Sequence, residues 1–287
     1  MPRTMLSDPQ WELLCRVMLH SGHVYNKTKH RMTFEGILYR MRTGCPWRDL
    51  PEEFGRWNTV FKRFNLWSKN GVFELIFNQL SANPDPEWLF IDGSIVRAHQ
   101  HSTGAASQEP QGIGKSRGGN TTKIHLVVDS GGLPVHFELS AGQIHDMAHA
   151  ESLVTEAPEA KCITADKGYD SESLREHIRD TGAKPNIPRK NNSQKGNDDM
   201  DWCLYKWRHL VENAFARIKH FRAIATRYDK LLRNYASVLA LAFSMMWLPI
   251  WSDYSMNNKD QQPLVKLRLT SGVSAKCTPA GVCRTLD

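Results

Sequence analysis

Tyr205, Arg208, Glu212 and Lys219 lie at offsets of 0, 3, 7 and 14 within WCLYKWRHLVENAFARIKHFR, residues 202–222. Wound as a helix, these four fall within an arc of about 60°. Leu210, Val211, Ala214, Phe215, Ile218 and Phe221 fill much of the opposite side. The spacing therefore predicts a helix over 202–222 with one buried face and one polar stripe. Upstream, Asp92 sits in the apolar run LFIDGSIV, and Asp166 closes the next such run, CITAD. An acid at the end of a buried strand needs a partner, because an unpaired buried carboxylate is costly. Two such acids together with Glu212 would make an oxygen cage of the kind hard divalent cations take. Read alone, the stripe is equally a solvated helix face, with Arg208 and Glu212 as an i, i+4 ion pair.

Other carboxylates compete for the same reading. Asp129 lies in the turn-forming DSGG. Asp146, after His145 at a helix start, reads as a cap, and Asp170 can cap the helix after Asp166. Asp198, Asp199 and Asp201 form a solvated acidic run. Residue pattern alone does not choose among them. His99, His101, His125 and His145 lack zinc-ligand spacing, and no zinc is assigned. In GIGKSRGGNTTK, positions 109 and 117 are Glu and Arg where a phosphate-binding loop or a dinucleotide fingerprint needs Gly. No nucleotide cofactor is expected. The loop reads as flexible and basic, with Lys115, Arg117 and Lys123 suited to following a DNA backbone, or as an ordinary surface loop.

These residues resemble a known family. The DDE transposases of bacterial insertion sequences carry Asp, Asp and Glu in that order, the Glu within a Y-x2-R-x3-E-x6-K signature. Tyr205, Arg208, Glu212 and Lys219 match it without departure, and SRGGNTTKIHLVVD, GQIHD, ADKGYD and IATRYDK are similar to the insertion sequence 5 branch. The resemblance spans roughly residues 6–248. It implies two Mg²⁺ ions, replaceable by Mn²⁺, held by Asp92, Asp166 and Glu212 across a scissile phosphate. Arg208 and Lys219 would hold DNA phosphates, with Tyr205 stacking on a base or bonding the backbone. The implied activity is binding of the element's terminal inverted repeats as double-stranded DNA, strand cleavage and strand transfer, by a homodimer that holds two ends. One departure stands out. Relatives commonly have Ser or Thr after the first Asp, where this chain has Gly93. The alternatives are a catalytically decayed DNA-binding protein, repressor-like, derived from a transposase, and a nuclease of the same scaffold without end specificity.

At 287 residues the chain suits one large domain or two small ones. Its net charge of +7 is compatible with a polyanionic partner. Six cysteines with no C-x2-C pair, and an N-terminus without an apolar signal core, suggest a reduced, cytoplasmic protein, and the resemblance implies a bacterial, nucleoid-associated one. The apolar run 235–251 is short for a bilayer and carries Pro249, so a buried helix is expected and no membrane partner.

The elements that must position the acids follow from periodicity. Residues 1–82 read as an all-α domain, either an ordinary helical bundle whose lysines solvate it or, as the resemblance favours, a helix-turn-helix-like DNA-binding domain. Its helices are Ser7–His20, one capped by Thr33, one from Asn58 or Thr59 to Ser68, and 72–80. The third exposes Lys62 and Arg63 and is the expected reader. SANPDPEW is a linker. Residues 83–251 run strand (88–97), strand (123–129), strand (133–139), helix, strand (162–166), helix, short strand, helices. That is the order of a ribonuclease H-like α/β catalytic domain. The short stretch before the Glu212 helix leaves little room for a β-rich insertion. The tail 252–287 has no apolar period and reads as disordered.

Overall fold

The computed structural model describes residues 4–25, 27–104, 108–191 and 193–257. Ser7 and Gln10 close a capping box at the head of α1 (Asp8–His20). α2 (Lys29–Thr43) starts a turn before Thr33, which bonds the Lys29 carbonyl at 3.2 Å from inside the helix instead of capping it. Gly44 ends α2 at a φ of 69°, a left-handed stop that suits glycine. α3 (Trp57–Lys69) and α4 (Val72–Leu80) complete the N-terminal helices. Phe34, Phe64, Trp67 and Phe73 meet at their centre with ring centroids 5.6–6.3 Å apart.

The chain then builds one mixed sheet from β1 (Trp88–Ala98), β2 (Gly114–Ser116), β3 (Gly119–Val128), β4 (Pro134–Ala141), β5 (Cys162–Ala165), β6 (Lys184–Asn186) and β7 (Thr226–Arg227). β3 lies antiparallel between β1 and β4, while β5 and β6 extend the other side of β1 in parallel. β2 folds back on the start of β3, and β7 pairs with the last two residues of β1. The loop expected over GIGKSRGGNTTK is thus an ordered hairpin from Gly114 onward. Its short, glycine-rich strand has no alternation for periodicity to detect.

Alternation along β1 decides what each side chain meets. Leu89 and Ile91 face a core with Val127, Ile163 and Ala165, roofed by α5 (Met147–Glu156) and α6 (Glu172–Asp180). Phe90 and Val96 face the other way, with Ile124 and Leu126. That second core runs unbroken into α8 (His209–Lys219), α10 (Leu232–Asn257) and the four N-terminal helices. The helix expected over 202–222 is segmented into α7 (Trp202–Tyr205), a tight 3₁₀ turn at Lys206–Arg208, α8, and α9 (Arg222–Ala225). α10 is apolar nearly all round, which demands burial on all sides. It continues to Asn257, past the expected end at Trp251, and residues 258–287 of the tail lie outside the described residues. Among the described residues no helix is long and apolar enough to cross a membrane.

Candidate active site

Strand register brings the first two acids together. β1 and β5 pair in parallel up to Ile91 and Ala165, so Asp92 and Asp166 each follow the last paired residue of their strand, close enough for the charge of Asp166 to act on Asp92. By parity both leave the face that carries Phe90 and lies against α8. Asp92 is half-buried and accepts the Gly93 N–H at 2.7 Å. Burial pushes its carboxyl above the usual range. The Gly93 N–H and Arg208 pull it down, and the charge of Asp166 pushes it up again. Asp166 opens a 3₁₀ turn (Lys167–Tyr169) and accepts the Gly168 N–H at 2.7 Å. Glycine suits that position, since a Cβ there would stand 2.8 Å from Asp166 Oδ1.

The third acid arrives from α8 through an arginine. Arg208, at the mouth of α8, donates Nη1 to Asp92 Oδ2 at 2.8 Å and Nη2 to Glu212 Oε1 at 2.5 Å. Burial opposes its charge, but Asp92, Glu212, Tyr205 and Asp166 together raise its pKa. Lys219, two turns beyond Glu212, donates to Ser94 Oγ at 2.7 Å. Ser94 shares the face of Asp92, two residues along β1. Tyr205 stands edge-on to the exposed Trp202 with centroids 5.7 Å apart. One guanidinium therefore ties the acid of β1 to that of α8 and lies in the field of the acid after β5.

This donor set suits a hard divalent cation. It offers carboxylate oxygens alone, and the paired charges of Asp92 and Asp166 oppose each other in a half-buried place. Among the described residues no three acidic, His or Cys groups already stand at metal-binding separation. Arg208 takes the position between Asp92 and Glu212, supplying positive charge there.

The remaining expected residues divide. Lys115 and Arg117 are exposed on the β2–β3 hairpin, and Lys62 is exposed on α3. Arg63 lies over the Trp67 ring at 5.9 Å. Lys123, expected beside Lys115 and Arg117 on a DNA-following loop, is instead buried. Its ammonium is held by the Ile144 carbonyl at 2.8 Å and by Asp146 at 3.3 Å. Asp146, read as a helix cap, makes no capping bond and reaches Lys123 and His125 across the sheet. Asp170 likewise does not cap α6; it binds Arg175 at 2.9 Å and the Lys190 N–H at 2.7 Å. Asp129 forms its turn as expected, and Asp201 caps α7. Gly93 is accounted for sterically: a Cβ there would stand 2.3 Å from Asp146 Oδ1. Arg227 and Asp229 of IATRYDK are buried and structural, while Tyr228 is exposed. Arg227 is buried and donates to the carbonyls of Gln111 and Asp229 and to the Thr122 hydroxyl, and its pKa is pulled down to about 10 by burial.

Comparison with known proteins gives the family of the chain. The family described as "Transposase DDE domain" matches residues 83–247, and "Putative transposase of IS4/5 family" matches residues 6–77. The "Putative transposase for insertion sequence element IS6501" of Brucella ovis is 34% identical over 128 residues, covering 45% of this chain and 98% of that protein. "Uncharacterized protein y4sN" of Sinorhizobium fredii is 33% identical over 129 residues, covering 44% of this chain and 96% of the other. The piggyBac transposase, solved as a synaptic complex with hairpin DNA, shares the fold with a TM-score of 0.55 at 10% identity. The match covers 90% of this chain and 75% of that one. With its sheet, both helical layers and the strand-borne acids inside the matched span, this chain belongs to the DDE-domain transposases of the IS4/5 type.

Proposed function

We propose that this protein is the transposase of a bacterial insertion sequence, acting on the chromosome in the nucleoid. It binds the terminal inverted repeats as duplex DNA, cuts at the element ends with Mg²⁺ or Mn²⁺, and joins them to target DNA. The observation that carries this reading is the strand register that sets Asp92 beside Asp166, with Arg208 linking Asp92 to Glu212.

Asp92, Asp166 and Glu212 would hold the divalent ions. Bound there, the metals supply activation of water or a 3′-hydroxyl and stabilisation of the leaving oxygen in an in-line displacement. Arg208 and Lys219 provide cations beside the acids for the phosphates on either side of the scissile bond. Tyr205 and the exposed Trp202 offer aromatic faces on which an unstacked base can lie. Lys115 and Arg117 extend that cationic track along the β2–β3 hairpin. Lys62, Arg63 and the exposed first turn of α3 (Trp57, Asn58, Thr59) are the sequence reader. A homodimer follows from the task of holding two ends at once.

The test compares duplexes carrying the repeats that flank the gene with scrambled duplexes, in Mg²⁺, in Mn²⁺ and with chelator. End-specific nicking that needs the metal supports the reading. Equal nicking of both duplexes makes the protein a nuclease without end specificity. Salt-sensitive binding without nicking in either metal makes it a repressor-like DNA-binding protein.

A further inference from the structure

Beyond Asp92, β1 loses its neighbour on one edge. β5 pairs with it only as far as Ile91 and β7 only from Arg97, so residues 93–96 have no strand on that side among the described residues. What fixes this stretch beside the acid is therefore β3 on the other edge and the side chains against its two faces. On the face of Asp92, Lys219 reaches Ser94. On the opposite face the carboxylate of Asp146, from GQIHD, fills the space that a Cβ at position 93 would take.

Asp146 is not free to yield. Lys123 Nζ lies 3.3 Å from each of its oxygens and is itself anchored on the Ile144 carbonyl. His125 Nδ1 stands 3.4 Å from Oδ1. His125 is buried, bonded through Nε2 to Ser140 Oγ at 2.8 Å and stacked on His149 at 4.4 Å, and His149 binds Glu138. Withdrawing Asp146 would leave Lys123 as an uncompensated buried charge, which is costly. A side chain at position 93 would have to displace this whole group.

We infer that Asp146 is a positioning residue for Asp92: braced by Lys123 and His125, its carboxylate fixes the unpaired edge of β1 from behind and so sets the place of the first acid. This explains why glycine follows Asp92 here, and it gives GQIHD a role beyond capping α5. The inference rests on the proposed cleavage activity.

The test measures single-turnover cleavage at saturating end-bearing duplex, the metal concentration for half-maximal rate, and DNA affinity. It uses the wild type, D146A, G93A and the double variant. Each single variant should lose cleavage about 100-fold, the loss expected for a displaced acid. The metal requirement should rise while DNA affinity stays unchanged, a split that general loosening of the fold would not give. In the double variant G93A should add nothing to D146A, because the group it would strike is gone. Wild-type cleavage by D146A, or losses that multiply in the double variant, overturn the inference. If D146A does not fold, D146N keeps the shape against Gly93 but releases Lys123. Impaired cleavage by D146N with intact DNA affinity then supports the inference, and unimpaired cleavage overturns it. A wild type that fails to cleave defeats the proposed function itself, a different result from a wild type and D146A that cleave equally.

Discussion

Arg208 joins two carboxylates that sequence places 120 residues apart, Asp92 and Glu212. Its planar fork reaches them from two separate nitrogens, a span that the single nitrogen of a lysine does not match. Replacing it with Lys should leave one acid unpaired and lower cleavage about 100-fold, roughly the loss seen when one preorganised donor is removed from an active site. Cleavage by R208K at the wild-type rate would show that the bidentate link is dispensable. Residue pattern alone did not choose among the carboxylates, and the three acids and Arg208 stood out only through the spaced signature shared with the family. Asp146 and Lys123 did not. Capping and loop chemistry are judged from immediate neighbours, whereas Asp146 finds its partners on β3, at least 21 residues upstream in sequence. Gly93 looked like a loss of side chain because nothing local announces the carboxylate packed against it.

Among the elements, the β3–β4 hairpin turn carries a pH-dependent weakness. Asp129 accepts N–H bonds from Gly131, Leu133 and Asp85, yet burial pushes its carboxyl up to about 6. A carboxyl with a raised folded-state pKa favours the fold while protonated. Its contribution is therefore fully present below the unfolded value near 3.8 and is lost as pH rises through 6. The stability of the wild type relative to D129N should fall by about 3 kcal/mol between those limits. Denaturant midpoints at several pH values measure this, and a flat difference would contradict it. A second element-level tie is Arg40 of α2 with Asp229 after β7, both buried and 3.4 Å apart. Removing either partner strands a buried charge, so D229A should cost about 3–5 kcal/mol in chemical denaturation. The strands and most helices were legible from periodicity to within a few residues. The 3₁₀ turn at Lys206–Arg208 was not, because helical spacing barely distinguishes it from an α-turn, although it sets the angle at which Arg208 enters the site.

At the scale of the whole molecule, composition drew a boundary near residue 82, but the core does not stop there. α10 packs its apolar circumference against α3, α4 and the sheet, and Ser68, Glu74, Asn234 and Ser237 are hydrogen-bonded across that junction. A sequence apolar on every side announces burial without naming the partner. A fragment of residues 83–257 should accordingly fail to fold cooperatively on its own, and a sharp thermal transition for it would contradict this. The net charge of +7 predicts steeply salt-dependent DNA binding. K115A and R117A should each reduce the slope of log affinity against log salt by about 1 while end preference is kept. The central claim is that strand register and the Arg208 link assemble Asp92, Asp166 and Glu212 into one metal-dependent cutting centre. Its most direct test is cleavage of end-bearing duplex in Mg²⁺ by D92N, D166N and E212Q, with binding of the same duplex measured in parallel. Each variant is expected to bind like the wild type and not to cut, whereas cutting at the wild-type rate by any one of the three would contradict a shared metal-dependent centre.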